Sequence, residues 1–207
     1  MLKQVALISL LGFSASAMAG QWQVKLGGSA VAPTESSSIL DGAAKVEADN
    51  ELAFTPSVEY FFNDNISTEL LLAAPISHDV NVTGGVNAGV KLKHLPPTIT
   101  AKYNFKNNTG FTPYIGVGAT VFIPWDEDAS GDLAGSSVNV KEDYGFAGQV
   151  GFNYQPADAK NWGVFADVRY AQISPEVDIK DSAGNRITKF DLDIDPIVYT
   201  IGYSYKF

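Results

Sequence analysis

Apolar and polar residues alternate with period two along most of this chain, and almost no segment keeps a 3.6-residue period over a helical length. The alternation runs through Gln21 to Pro33, Glu51 to Phe62, Ile66 to Ala74, Pro97 to Phe105, Phe111 to Phe122, Tyr144 to Tyr154, Trp162 to Ile173 and Ile194 to Phe207. Each of these stretches is predicted to be a strand. Short connections (63–65, 106–110, 155–161) interleave with long ones (34–50, 75–96, 123–143, 174–193). An even strand number with this rhythm predicts an all-β fold: an eight-stranded antiparallel transmembrane β-barrel with short periplasmic turns and long extracellular loops.

Side-chain bulk tells which face is outside. In the last strand Ile197, Tyr199, Ile201, Tyr203, Tyr205 and Phe207 oppose Val198, Thr200, Gly202, Ser204 and Lys206. A barrel of eight strands has an interior just wide enough for side chains, so the face rich in rings points into lipid. Trp22, Tyr60, Phe62, Tyr103, Phe105, Phe111, Phe152, Tyr154, Trp162, Tyr205 and Phe207 fall at strand ends beside the short turns or the termini of the barrel segment. Antiparallel threading brings those ends to one level, as an interfacial aromatic girdle.

The inward residues separate into two tiers. Lys25, Glu59, Glu69, Lys102, Asp167, Arg169 and Lys206 make a lower and middle, charged tier. Charges of both signs confined in a narrow barrel should pair and plug it, since unpaired buried charge is costly. Above them, Ala53, Leu71, Thr120, Phe122, Ala147, Ala171, Ile173 and Val198 make an apolar tier, a candidate solute pathway in the form of a funnel. Pro33, Pro75, Pro96, Pro97, Pro124, Pro175 and Pro196 lie at the long-loop ends of strands, and each removes an N–H from the ladder. Pro33, Pro75, Pro96 and Pro124 are the candidates for a lateral gate. The competing account is that the small residues fill the barrel top and proline merely ends strands.

Composition narrows the function further. Acidic side chains outnumber basic ones 23 to 14, for a formal charge of −9, the wrong sign for gripping nucleic-acid phosphates. A mean hydropathy of +0.01 fits no bundle of transmembrane helices. There is no cysteine, hence no disulfide framework and no thiolate. The N-terminus, MLKQVALISLLGFSASAMAG, has a basic start, a short apolar run and Ala17-Met18-Ala19 before Gly20. It predicts a secretory signal peptide over 1–19, with the barrel over 20–207.

His78 and His94, with Ser77 or Ser38 and Asp79, supply the residue types of a Ser/His/acid set without its geometry, and no enzyme is predicted. Asp191, Asp193 and Asp195, with Asp126 to Asp128, have oxygen ligands but no calcium-loop spacing, so an acidic rim is expected. No cofactor and no metal site are predicted.

Five runs then point to a family: "NISTELLLAAPISH" at Asn65 to His78, "KHLPPT" at Lys93 to Thr98, "PYIGVGATVF" at Pro113 to Phe122, "GFAGQVGFNY" at Gly145 to Tyr154 and "DPIVYTIGYSYKF" at Asp195 to Phe207. Together and in order they resemble the OmpW family of outer-membrane proteins, AlkL-like alkane-uptake members included. The resemblance implies passive uptake of small hydrophobic molecules through a channel open outward, blocked toward the periplasm, with lateral exit into the bilayer. A structural anchor or a phage or host-surface receptor is the competing role. It also implies an outer membrane of a Gram-negative bacterium, with extracellular loops and periplasmic termini. The partners it implies are the lipid bilayer, lipopolysaccharide, small apolar solutes, and the assembly machinery through Phe207. Arg169, within "ADVRYAQI", stands where some relatives carry a bulky aromatic, which weakens any shared aromatic gate. The loops match poorly, so substrate identity does not carry over.

Overall fold

The computed structural model describes residues 21–35, 37–39, 44–84 and 88–207, apart from the side chains of 37–39, 44–48, 76–84, 88, 91 and 128. The predicted signal peptide lies outside them. In chain order the strands are β1 (Trp22–Ala32), β2 (Ser37–Ile39), β3 (Ala44–Ala48), β4 (Glu51–Phe61), β5 (Ile66–Leu71), β6 (Ile76–Gly84), β7 (Ala88–Leu95) and β8 (Thr98–Asn104). They continue with β9 (Phe111–Gly131), β10 (Ser137–Val140), β11 (Asp143–Tyr154), β12 (Trp162–Ala171), β13 (Glu176–Lys180), β14 (Arg186–Asp191) and β15 (Ile197–Lys206).

Eight of them close a ring by antiparallel pairing: β1 with β4, then β5, β8, β9, β11, β12 and β15, which returns to β1. Closure leaves no free sheet edge, the condition for strands to cross a membrane. Strand β8 shows the alternation plainly. Thr98, Thr100, Lys102 and Asn104 are buried, whereas Ile99, Ala101 and Tyr103 are exposed. Apolar side chains thus face out and polar ones face in, the reverse of a water-soluble barrel. Leu52, Phe146 and Val117 are 85, 78 and 72% exposed, a surface that water would not tolerate at this extent. The girdle forms as predicted: ring centroids lie 4.8 Å apart in Trp22–Tyr60 and Phe111–Phe152 and 5.1 Å apart in Tyr103–Phe105 and Tyr205–Phe207.

Two further large rings, Tyr114 and Phe165, are buried inside the barrel. Glycine makes room for the first. A Cβ on Gly151, paired with Tyr114, would lie 2.8 Å from the ring's Cζ, and one on Gly116 would lie 3.0 Å from Lys102 Cγ.

The long connections, expected as loops, are largely strand. β3, β6, β7 and the far part of β9 extend one wall of the barrel, and β10, β13 and β14 form a second sheet. Their alternation has the opposite sense: Val177 and Ile179 are buried while Glu176, Asp178 and Lys180 face out. The walls have left lipid for water here, so the polar face turns outward. Pro124, read as a strand end, lies within β9, paired with His94.

The outward face of β13 carries cross-strand ion pairs. Glu176 lies 2.5 Å from Lys141 and 2.6 Å from Lys189, and Asp178 lies 2.9 Å from Arg186. Hydrogen bonds from Lys141 and Lys189 hold the Glu176 carboxyl below the usual range, and those from Arg186 do the same for Asp178. A depressed folded-state pKa contributes stability that is complete above the unfolded value and lost as pH falls through the folded one. Amide protection of Val177 and Ile179, corrected for intrinsic exchange, should therefore hold from neutral pH to about pH 4 and decline below it. Asp178→Asn should flatten that decline, and an acid profile identical in this variant would count against the pairs.

Candidate functional site

The barrel interior is crossed by a charged network. Lys25 Nζ lies 2.7 Å from Glu59 Oε2 and 3.3 Å from Glu69 Oε2, and Lys102 Nζ lies 2.9 and 2.7 Å from the same two oxygens. Register explains the arrangement: Glu59 and Glu69 are directly opposite on β4 and β5, and β1 and β8 flank them with one lysine each. Lys102 Nζ also sits 3.7 Å from the centre of the Tyr114 ring, whose hydroxyl donates to Asp167 Oδ2 at 2.9 Å. Arg169 Nη2 donates to Gln149 Oε1 and lies 3.6 Å from Glu69 and 3.9 Å from Asp167. Three cations and three carboxylates therefore balance in a buried layer.

Lys206, predicted to belong to this layer, does not. It is half-buried at the short-turn end, its Nζ 4.1 Å from the Phe61 ring. There it lines a polar basin of about 300 Å³ with Gln23, Asn104, Lys106 and Asn153. It faces inward at the low end of the tier, paired with Gln23, two residues nearer the turn than Lys25 and too low to join the ion pairs. Tyr114 and Gln149 were missed. Both are in the inward phase of their strands, and the glycine that leaves space for the Tyr114 ring is Gly151, opposite it on β11.

Above the network lies a cavity of about 40 Å³. Leu71, Thr120, Phe122, Ala171, Ile173 and Val198 of the predicted apolar tier line it; Ala53 packs behind it against Val31 and Ala73, and Ala147 is buried outside the lining. An open funnel was expected, whereas Val90, Leu92, Val140, Val177, Ile179, Leu192 and Ile194 pack over the top as one apolar cluster. The extension strands supply that cover. His94 is buried beside the cavity, its ring 4.7 Å from Phe122. The side chains of His78, Ser77, Asp79 and Ser38 lie outside the described residues. The acidic rim is hydrogen-bonded: Asp195 accepts from Tyr170 and the Ile173 amide, Asp193 from Ser174, and Asp126 pairs with Lys93 at 2.6 Å.

One seam of the wall is open beside this cavity. The β5–β8 ladder ends at Leu71–Thr98 and the β6–β7 ladder begins at Ile76–His94. No main-chain hydrogen bond joins 72–75 to 95–97. The Leu72 and Ala74 amides donate to Pro56 and Phe54 on β4, which turns Ala73 toward the seam, where the register sets it opposite Pro96. Pro96 has no N–H to give, nor has Pro75. Ala73 and Pro96 also line the cavity. Pro33 and Pro124 do not join them. Beyond Pro33 the wall is bonded, Thr34 N donating to Ile194 O at 3.1 Å, and Pro124 lies inside a ladder.

This architecture has close counterparts. The OmpW family profile matches residues 18–207. Outer membrane protein W of Vibrio cholerae is 34% identical over 197 residues, covering 91% of this chain and 89% of that protein. Outer membrane protein AlkL of Ectopseudomonas oleovorans is 25% identical over 79% of this chain and 70% of its own length. The crystal structure of the outer membrane protein OprG from Pseudomonas aeruginosa superposes with a TM-score of 0.81 at 32% identity, covering 91% of this chain and 96% of that one. These relatives and the closed barrel place the protein in the outer membrane of a Gram-negative bacterium. The chain belongs to the OmpW family.

Proposed function

We propose that the barrel passes small hydrophobic molecules from the outside into the outer membrane. The solute enters at the long-strand end, which faces the exterior, parts the apolar cluster that covers the cavity and reaches the cavity below it; the charged layer stops it, and it leaves sideways between β5 and β8. The observation that carries this reading is the coincidence of the cavity with an unbonded seam, at Ala73 and Pro96. A straight route would force an apolar body between six paired charges, at a cost of several kcal/mol for each ion pair separated. The resemblance to AlkL-like alkane-uptake members points the same way.

Flux of a short alkane into vesicles bearing the refolded barrel tests it. Pro96→Ala returns an N–H facing the Ala73 carbonyl, and one added hydrogen bond of about 1 kcal/mol should lower flux about fivefold. Pro97→Ala is the control. Its carbonyl accepts from Val121 on β9, so its restored N–H points away from the seam, and flux should not change. Wild-type flux equal to that of empty vesicles would discard uptake and favour the anchor or receptor role; equal flux in wild type and Pro96→Ala would discard this exit.

A further inference from the structure

We infer that the cavity recognises the oxygen-bearing end of an uncharged, otherwise apolar solute, a ketone, aldehyde or ester carbonyl, through the Arg169 guanidinium. The inference rests on the uptake reading and names its substrate class. Arg169 is the charged residue among those lining the cavity, and it is 3% exposed. Its Nη2 is held by Gln149 and lies near Glu69 and Asp167, whereas Nη1 is buried without a hydrogen-bond partner. Around it Leu71, Phe122, Ala171 and Ile173 offer no acceptor, the Thr98 and Thr120 hydroxyls bond to each other at 3.0 Å, the Thr55 hydroxyl bonds to Ser29, and the His94 ring lies against Phe122, 4.7 Å between centroids.

A guanidinium offers donors alone, so its complement is an acceptor. An alkane leaves Nη1 unsatisfied, at the cost of a buried donor without a partner. A carboxylate would satisfy it but would add a fourth negative charge to a layer in which three cations already meet three carboxylates, within reach of Glu69 and Asp167. A neutral carbonyl supplies the lone pair without the charge. Size agrees as well. The cavity's 40 Å³ is room for about one or two waters, enough for a carbonyl group and little more. The remaining chain must then lie along Ala73 and Pro96, which line both cavity and seam. Arg169 thus sorts solutes at the point where they turn toward lipid.

The test compares 2-octanone, octane and octanoate in vesicles with and without the full barrel, each flux corrected for its partition into protein-free lipid. Wild type should pass the ketone about tenfold faster than the alkane, the scale of a hydrogen bond to a charged donor, and faster than the carboxylate. The infrared carbonyl band of ¹³C-labelled 2-octanone should move to lower frequency on binding. In Arg169→Met both the ketone-to-octane ratio and the band shift should be lost. Asp167→Asn with Arg169→Met removes one charge of each sign and gives the same readout in a layer that stays neutral, should the single variant not fold. A ketone-to-octane ratio near one in wild type, with octane still passing, overturns the inference and leaves uptake standing. So does a ratio unchanged in both variants. Faster passage of octanoate overturns the choice of a neutral ligand, and no protein-dependent flux of any probe overturns uptake itself.

Discussion

Replacing Lys102 by methionine is expected to lower the free energy of unfolding by about 3–5 kcal/mol, the cost of breaking a buried ion pair by deleting one partner. The Lys102 ammonium stands within 2.9 Å of Glu59 and 2.7 Å of Glu69. Without it, two carboxylates opposite each other on adjacent strands share the single Lys25 ammonium, in a layer where none of the four side chains is more than 1% exposed. Lost too is the contact of that ammonium with the Tyr114 ring. Adding Glu69→Gln to Lys102→Met removes one charge of each sign and should recover a large part of the loss, because the remaining pair, Lys25 and Glu59, stays matched. Urea unfolding in detergent micelles, followed by tryptophan fluorescence, measures both. An exposed pair would cost no more than about 1 kcal/mol, so a single-variant loss of that size would mean that water fills the layer and that it does not block a straight path.

How much of this could be read from the chain alone follows from what lipid imposes. Inside the membrane each strand has one face that must be apolar and one that must fit a narrow lumen, so period two reports the ring, the girdle and the inward phase of Lys25, Glu59, Glu69, Lys102, Asp167 and Arg169. Beyond the membrane the constraint reverses. "EVDIK" and "RITKFD" alternate with polar residues outward and are short, and among turn residues they read as loop although β13 and β14 pair along their length. Height is the second quantity that periodicity does not carry. Lys206 has the right phase but lies too low to reach the carboxylates, and Pro33, Pro75, Pro96 and Pro124 look alike as strand-end prolines until register sets Pro96 opposite Ala73. His94 falls in the long connection 75–96 of the sequence pattern, yet it is buried against Phe122 because β7 continues the wall inward over the cavity.

A lysine in place of Val117 should destabilise the barrel by about 2–4 kcal/mol, the penalty for a cation near mid-height on a lipid-facing strand. Val117 is central in the ring portion of β9, between Ala101 of β8 and Gly148 of β11, and is 72% exposed with no hydrophobic core behind its side chain. On a water-soluble barrel such a position would accept lysine within about 0.5 kcal/mol. The comparison belongs within the same molecule. Ile187 is also an exposed apolar residue, at 46%, but it lies on β14, where the outward face is charged. Ile187→Lys should therefore fall within about 0.5 kcal/mol of wild type when both variants are unfolded from lipid vesicles. Equal tolerance at the two positions would deny the lipid boundary between them. A large penalty at Val117 alone would locate that boundary where the alternation changes sense. The same side chain, a lysine, would then be indispensable at 102 and forbidden at 117, because one points into a lumen of paired carboxylates and the other into hydrocarbon.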